Sequence, residues 1–433
     1  MMVGGTGGGI LLLSYNYAPE AVGIAVYNRQ MAESLAARGW PVEVLTAHPW
    51  YPAWQMQVAP TQEDLAGVRV HRLPLRVPVR PTAVGRILMD VTWLARAAIR
   101  LGTWRRRPGV VQVVAPPVFG LVVGAVYAAW WRVPVACHVQ DLQVDVASQL
   151  GFLPRWLVVL LHAVEAVLLR RMDQVTTITP AMAARLAPRC GQGRPVRLLP
   201  NGTDLAALVP PPGPNSLRRA WGIPDGDVVV LYAGSAGAKQ GLHVLTEAMA
   251  LLKDEGRLHL VMAVGGTALD RDGLLQRIAD LPRARIIDLV PPADLGSLLA
   301  AGDIHVITQR AGAADLVLPS KLGNIMGAGR PVVVTADAAS DLARIVVKSG
   351  GGLVTPPNDA TVLAEALRRL AGAPSLRFDL GAAARVFAAR HLDARRVQGR
   401  WHDLWRSLIR RGRGGRDQGC AEATSKDRRG CPG

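Results

Sequence analysis

Val228-Val-Val-Leu-Tyr-Ala-Gly-Ser-Ala-Gly-Ala-Lys-Gln-Gly241 begins as a strand-length run, Val228 to Ala233, passes through a loop of small residues from Gly234 to Gly241, and leads into a helical segment. Glycine and alanine let the backbone approach a phosphate closely, a helix N-terminus attracts an anion, and Lys239 adds a point charge. The loop lacks a Gly-Lys-Ser/Thr ending, so it is not a Walker loop; a solvated lysine in an ordinary turn is the competing reading. Strand, loop and helix in this order form the unit from which nucleotide-binding α/β folds are assembled.

The unit recurs on both sides of this stretch. Downstream, strands are expected at His259–Val264, Arg285–Leu289, Ile304–Thr308, Pro331–Thr335 and Gly352–Val354, with helical segments between them. Upstream they are expected at Ile10–Ser14, Val42–Thr46, Val68–Leu73, Val110–Val114, Pro134–His138, Gln174–Ile178 and Val196–Leu199. Buried strands alternating with helices predict parallel, doubly wound sheets. Val209-Pro-Pro-Pro-Gly-Pro214 can continue neither a helix nor a central strand and marks the boundary. The α/β chain therefore reads as two Rossmann-like domains in tandem, residues 10–205 and 217–385, facing a cleft. A C-terminal helix over 386–409 packs back on the first domain, and the Gly- and Arg-rich tail 410–433 has the composition of a disordered segment.

Half of the 433 residues are apolar, enough for the cores of two or three domains. Fifty Lys and Arg against thirty-three Asp and Glu give a net charge of +17, which calls for a negative partner. Nucleic acid, phosphorylated small molecules and an anionic membrane surface all qualify by charge, but no stacking platform or reading motif for nucleic acid accompanies it. The four cysteines show no C-x-x-C spacing, which fits a reducing cytoplasm. The Gly-rich N-terminus precedes the first strand, so it reads as a leader and not as a dinucleotide fingerprint, and it has no charged n-region of a signal peptide. The longest apolar run, Val118 to Trp131, falls short of the roughly 20 residues that cross a bilayer. A soluble or peripheral protein on the inner face of the cytoplasmic membrane is the expectation.

Arg310-Ala-Gly-Ala-Ala-Asp315 leads to Pro319-Ser320-Lys321-Leu322-Gly-Asn324, with Gly329-Arg-Pro331 ending the helix before a strand. Ser320 is a good N-cap, and free amides at Lys321 and Leu322 would face the crevice, where a phosphate and a ribose could be held. His138 ends its strand, so its imidazole is expected to reach the cleft, although a strand-end histidine is often structural. Asp225-Gly-Asp227 and Asp270-Arg-Asp272 resemble metal-binding pairs but fall in polar turns, and no metal or other cofactor is expected. Between Arg76 and Arg107, eight arginines oppose a single acid, Asp90, with Ile87, Leu88, Val91, Trp93, Ile99 and Trp104 interleaved. That pattern suits an anionic bilayer; a solvated helix over the first sheet is the alternative.

Six markers in order, Asn16-Tyr-Ala-Pro-Glu20 with Gly23, His48-Pro-Trp-Tyr51-Pro-Ala-Trp54, His138-Val-Gln-Asp141, Pro200-Asn201-Gly202, Gly237-Ala-Lys239-Gln240-Gly241, and Gly312-Ala-Ala-Asp315 through Ser320-Lys321-Leu-Gly-Asn324, resemble glycosyltransferase family 4 of the GT-B fold. Within it, the chain looks like the bacterial exopolysaccharide subgroup typified by the colanic acid fucosyltransferase. The resemblance covers about residues 10 to 405. It implies metal-independent sugar transfer from a nucleotide-sugar donor, GDP-fucose or another GDP- or UDP-sugar, with retention at the anomeric carbon, onto a lipid-linked saccharide. It implies catalytic roles for His138, Lys239 and Asp315. It places the donor among Gly23, Gly237, Gln240, Gly241, Arg310, Ser320, Lys321, Leu322 and Asn324, and the acceptor beside Tyr51 and Asp141. Two departures stand out. Many members carry an arginine shortly before the lysine, where this chain has Gly234-Ser-Ala-Gly237, so a second cation must come from elsewhere, Arg310 or Lys321. The family's Glu-x7-Glu pair is also missing: Leu316 and Asn324 occupy its positions. A nucleotide-sugar enzyme of another reaction type, and a membrane-binding relative without full activity, are the alternative functions.

Overall fold

The computed structural model describes residues 8–20, 23–51, 54–78, 83–116, 119–149, 153–209, 213–236, 240–265, 268–309 and 318–427. The first half of the chain contains β1 (Ile10–Leu13), α1 (Ile24–Ala36), β2 (Val42–Ala47), β3 (Gln62–Leu65), β4 (Val68–Leu73), α2 (Ala83–Gly102), β5 (Val110–Ala115), α3 (Phe119–Trp131), β6 (Val135–Val139), α4 (Gln143–Gln149), α5 (Arg155–Leu169), β7 (Gln174–Thr177), α6 (Pro180–Cys190) and β8 (Arg197–Leu198). The second contains α7 (Ser216–Ala220), β9 (Val228–Ser235), α8 (Leu242–Leu251), β10 (Leu258–Gly265), α9 (Ala268–Ile278), β11 (Ala284–Asp288), α10 (Leu295–Ala301), β12 (Ile304–Thr308), α11 (Lys321–Gly327), β13 (Val332–Thr335), α12 (Asp341–Ser349), β14 (Gly352–Thr355), α13 (Ala360–Ala371), α14 (Pro374–His391) and α15 (Ala394–Asp427).

The first sheet runs β3-β4-β2-β1-β5-β6-β7-β8 and the second β11-β10-β9-β12-β13-β14. Every strand pair is parallel except β3 with β4. The central strands are buried on both faces, which is why they read as apolar runs broken only by Gln112 in β5 and His259 in β10. The strand order reverses between β1 and β5 and again between β9 and β12, and in such sheets ligands lodge beyond the carboxyl ends of the strands at this reversal. β3 was not expected: Gln-Glu-Asp-Leu offers no apolar alternation, and it pairs as an exposed edge through a two-residue turn, Ala66-Gly67, with both φ values positive (50° and 81°).

After Ala360 the chain forms three helices, and the helix expected over 386–409 is divided between the end of α14 and the start of α15. The chain breaks at Leu392-Asp393, where Thr203 donates to the Leu392 carbonyl (2.7 Å) and accepts from the Ala394 amide (2.9 Å). There α15 turns away from the second domain and lays Val397, Trp401, Leu404, Trp405 and Leu408, spaced at helical intervals, against Ile10, Leu12, Val42 and Val110 of the first sheet. The Trp405 indole donates to the Gln112 side-chain oxygen (3.0 Å) in the middle of β5, so both buried polar groups are satisfied. Gly202 is glycine because α15 passes so near that a Cβ would stand 2.9 Å from the Ala394 Cα. α15 also continues to Asp427, beyond residue 410, where composition had predicted that order would end; extending a packed helix avoids the nucleation cost that a free tail would meet.

Trp405→Ala should lower stability by about 3 to 5 kcal/mol, since it opens a cavity and strands the buried Gln112 amide. A urea unfolding midpoint unchanged from wild type would contradict this packing.

Candidate functional site

On the first domain, the segment between β1 and α1 is held open by one carboxylate. Glu20 accepts the Trp50 and Tyr51 backbone amides (2.9 Å each) and the Asn16 side-chain amide (2.9 Å). Burial raises its pKa although all three hydrogen bonds favour the charged form. Asn28 on α1 donates to the Ser14 hydroxyl (2.6 Å) and to the Asn16 carbonyl (3.0 Å), tying the loop to the helix. Gly23 caps α1 at φ 65°, a conformation natural to glycine, and a Cβ there would lie 3.5 Å from the Tyr51 ring. Tyr51 is half-buried, and its hydroxyl pKa is raised by burial and by the nearby Asp141 and Glu20 carboxylates. Tyr51 and Asp141, the residues expected on the acceptor side, thus share one wall. Behind it the single acid of the basic stretch turns inward: burial pushes Asp90 up to about 7, with Tyr15 beside it, while the neighbouring Arg86 guanidinium lies 4.8 Å above the Trp54 ring.

The second domain faces this wall with β9 and α11. Lys321, the first residue of α11, sends its ammonium over the Tyr232 ring, 3.8 Å from the centroid. That nitrogen is sealed from solvent and, among the described residues, has no hydrogen-bond partner. Burial lowers its pKa from 10.5 to about 7. A Cβ on Gly234 would stand 3.1 Å from the same nitrogen, so a residue without a side chain at this position makes room for Lys321. The Tyr232 hydroxyl donates to the Ser235 carbonyl (2.7 Å), fixing the ring beneath the cation. Gly241, at φ 63°, caps α8 without a side-chain bond, and half-buried Gln240 precedes it, so first-turn amides of α8 border the same loop. The domains touch here: the Tyr27 hydroxyl on α1 lies 3.4 Å from the Ser320 carbonyl.

Several expectations change. Ser320 stands in αR conformation and makes no side-chain cap bond; its carbonyl, not its hydroxyl, meets the other domain. The Leu322 amide is used by the Pro319 carbonyl (3.1 Å) and its side chain belongs to the second core, so Leu322 offers nothing to a ligand. Asn324 lies half-buried on α11, one turn beyond Lys321. His138 does not stand beside a reacting sugar. Parity along β6 puts Cys137 and Val139 on one face and His138 on the other, under α15, where it is 2% exposed and edge-on to Trp401 at 4.8 Å. The Thr176 hydroxyl donates to the Cys137 carbonyl (3.1 Å), so it accepts from His138 Nδ1 (2.9 Å), leaving Nε2 as the unprotonated nitrogen. Burial pushes the imidazole down to about 3 and keeps it neutral. It lines a small hinge cavity with Asn28, Gln140, Asn201 and Gln398, and the Asn201 amide reaches the Gln140 oxygen (3.3 Å). Gly237, Lys239, Arg310 and Asp315, with Leu316, lie outside the described residues. Asp227 of the first acidic pair is bonded to His259 (2.9 Å) and Arg257 (3.3 Å), a role in the packing of β10.

Two Rossmann-like domains, a terminal helix crossing back between them, and a cleft bordered by two helix N-termini and a buried cation define a GT-B glycosyltransferase. Comparison with known proteins carries this further. Residues 22–202 match the family described as glycosyl transferase 4-like domain, and residues 227–372 match glycosyl transferases group 1. The chain is 30% identical over 400 residues to WcaI of Escherichia coli K12, whose name assigns it as a glycosyl transferase to colanic acid biosynthesis, covering 90% of this chain and 97% of that one. Its fold is similar to that of sucrose-phosphate synthase from Thermosynechococcus elongatus (TM-score 0.75, 20% identity, 93% and 99% of the two chains). It is likewise similar to Anabaena HepE, solved with UDP-glucose (TM-score 0.68, 18% identity, 92% and 100%). The chain belongs to glycosyltransferase family 4.

A buried amine that titrates near neutrality should become protonated when an anion reaches it. Above its free pKa, at about pH 8, Lys321 is mostly neutral, so binding of a nucleoside diphosphate should be accompanied by proton uptake. Calorimetry in buffers of different ionisation enthalpy should detect this uptake in wild type and lose it in Lys321→Met. Equal proton uptake by the two would remove Lys321 from the anion site.

Proposed function

We propose that the enzyme transfers a sugar from a GDP- or UDP-sugar, GDP-fucose being one candidate, to a lipid-linked saccharide in exopolysaccharide biosynthesis, with retention at the anomeric carbon. The observation that carries this reading is the Lys321 ammonium: buried, without a hydrogen-bond partner among the described residues, and packed against Gly234 at the reversal between β9 and β12. A desolvated, unpaired cation is costly and calls for an anion of matching charge. The donor's diphosphate supplies one, and HepE, of the same fold, was solved with UDP-glucose. The named role of WcaI supports an exopolysaccharide product.

The reaction follows from the placement of charge. As the glycosidic bond to the diphosphate lengthens, negative charge grows on the leaving oxygens. Lys321, Lys239 and the first-turn amides of α8 stabilise that charge where water is excluded, and no metal is required for this step. The acceptor hydroxyl approaches from the Tyr51 and Asp141 wall, on the same face as the departing diphosphate. Front-side displacement then retains configuration, and the hydroxyl proton passes to the leaving phosphate. No covalent nucleophile is needed. Lys321 here fills the place of the missing arginine.

The membrane enters as the source of the acceptor. α2 carries the basic stretch, and its residues divide: Met89, Trp93, Ala97 and Leu101 are buried in the first core, whereas Leu88, Val91 and Ile99 are exposed. Among the described residues no helix is long and apolar enough to cross a membrane, so contact by α2 would be peripheral.

Calorimetric titration with GDP, UDP, dTDP and ADP, first without and then with Mg²⁺, tests the donor site. One of these nucleotides should bind without metal, and Lys239→Ala should raise the barrier to turnover by about 2 to 4 kcal/mol. Binding of none of the four, or near wild-type turnover in that variant, would overturn the assignment.

A further inference from the structure

The helix α5 is turned inside out. Its one acid, Glu165, is 6% exposed and lies within 2.6 Å of the Arg189 guanidinium, which also pairs with Asp145 (2.8 Å). Its outward face is apolar: Trp156 and Val159 are 68% and 69% exposed, followed along the same stripe by Leu160, Val164 and Val167. The spacing i, i+3, i+4, i+8, i+11 is that of a core-facing stripe, yet among the described residues nothing covers it. α3, packed against α5, extends the surface with Val126 and with Trp130, which is 80% exposed. Soluble proteins seldom leave so continuous an apolar surface to water.

The surroundings indicate what covers it. Arg155 opens α5, Arg170 and Arg171 close it, and Arg132 follows α3; all four are exposed. Arg105 and Arg107, past the end of α2, are exposed as well. An apolar stripe bracketed by guanidinium groups matches acyl chains bordered by anionic headgroups. A second copy of this chain would bring arginines against arginines. At 1.5 Å per residue the 15-residue helix is about 22 Å long, too short to span a bilayer but long enough to lie in one leaflet.

We infer that α5 and the end of α3 are the membrane-inserted face of the enzyme, their apolar stripe sunk among the acyl chains of an anionic leaflet and their arginines at the headgroups. This deepens the proposed membrane-borne acceptor, on which it rests, and moves the main contact from α2 to α5. α4 packs on α5 and begins two residues after Asp141, so the acceptor wall and the inserted face belong to one layer. A saccharide head can reach Tyr51 while its lipid stays in the bilayer.

The test is sedimentation of the full-length protein with vesicles of equal parts phosphatidylglycerol and phosphatidylcholine, alongside nucleotide titration. Wild type should pellet with the vesicles and resist moderate salt. The exposed-face variant Val159→Ser/Leu160→Ser/Val164→Ser should bind them about tenfold less or worse while keeping wild-type nucleotide affinity, which shows that it is folded. Wild-type vesicle affinity in that variant, with loss in Arg105→Gln/Arg107→Gln instead, would overturn the inference and leave α2 as the contact. A wild type that ignores vesicles and forms a dimer broken by the serine variant would overturn it too, making this face a subunit interface. Vesicle binding by α5 in a protein that binds no nucleotide would support the inference and sink the donor reading alone.

Discussion

Both connections between the domains pass through one point. The outgoing chain, at Thr203, and the returning chain, at Leu392 to Ala394, are bonded to each other like strands of a short parallel ladder. Gly202, Gly323 and Gly327 crowd the same spot, and a Cβ on either of the last two would stand within 3 Å of Thr203 or the Leu205 and Leu208 side chains. The relative placement of the sheets is therefore set by backbone contact with no slack. That placement brings Tyr27 to Ser320 and sets Tyr51 opposite Tyr232 and Lys321. A cleft chemistry divided between two domains depends on this constraint, because neither wall holds both the cation and the acceptor side.

The parts of the fold legible in the sequence are those in which local pattern and environment agree. Parallel strands buried on both faces leave largely apolar runs, and loops at their carboxyl ends carry glycines, so both sheets could be read. The misses share a cause, which is that periodicity gives a face but not its neighbour. Strand parity separates His138 from Cys137 without saying that α15 covers the histidine. The stripe of α5 is as plain in sequence as any core helix; only the buried Glu165–Arg189 pair shows that the stripe points outward. β3 was invisible because an exposed edge strand needs no apolar residues.

Lys321 illustrates the same limit at the site. Its position at a helix start drew attention to its amide, whereas in the structure it is the side chain that lies buried over Tyr232. The partners that define it, Tyr232 and Gly234, are about ninety residues earlier in the chain. They are adjacent because β12 inserts beside β9, a fact of sheet order. Tyr232 in turn reads as an ordinary strand aromatic. The lack of an arginine in Gly234-Ser-Ala-Gly237 was a visible signal that a second cation would have to come from elsewhere, Arg310 or Lys321.

The crossing of α15 also bears on how the protein is made. The face of the first sheet that carries Ile10, Leu12 and Val110 is covered by residues 397 to 409, which leave the ribosome only after the strands of both sheets. The amino-terminal domain therefore emerges early but waits, with a wide apolar sheet face uncovered, through synthesis of the whole second domain. The carboxyl-terminal domain, whose second core cluster lies within residues 228–370, can close first. In this chain the first domain is completed by a helix made after the second, and a nascent chain stalled before Trp401 would present a sticky, half-finished surface to chaperones.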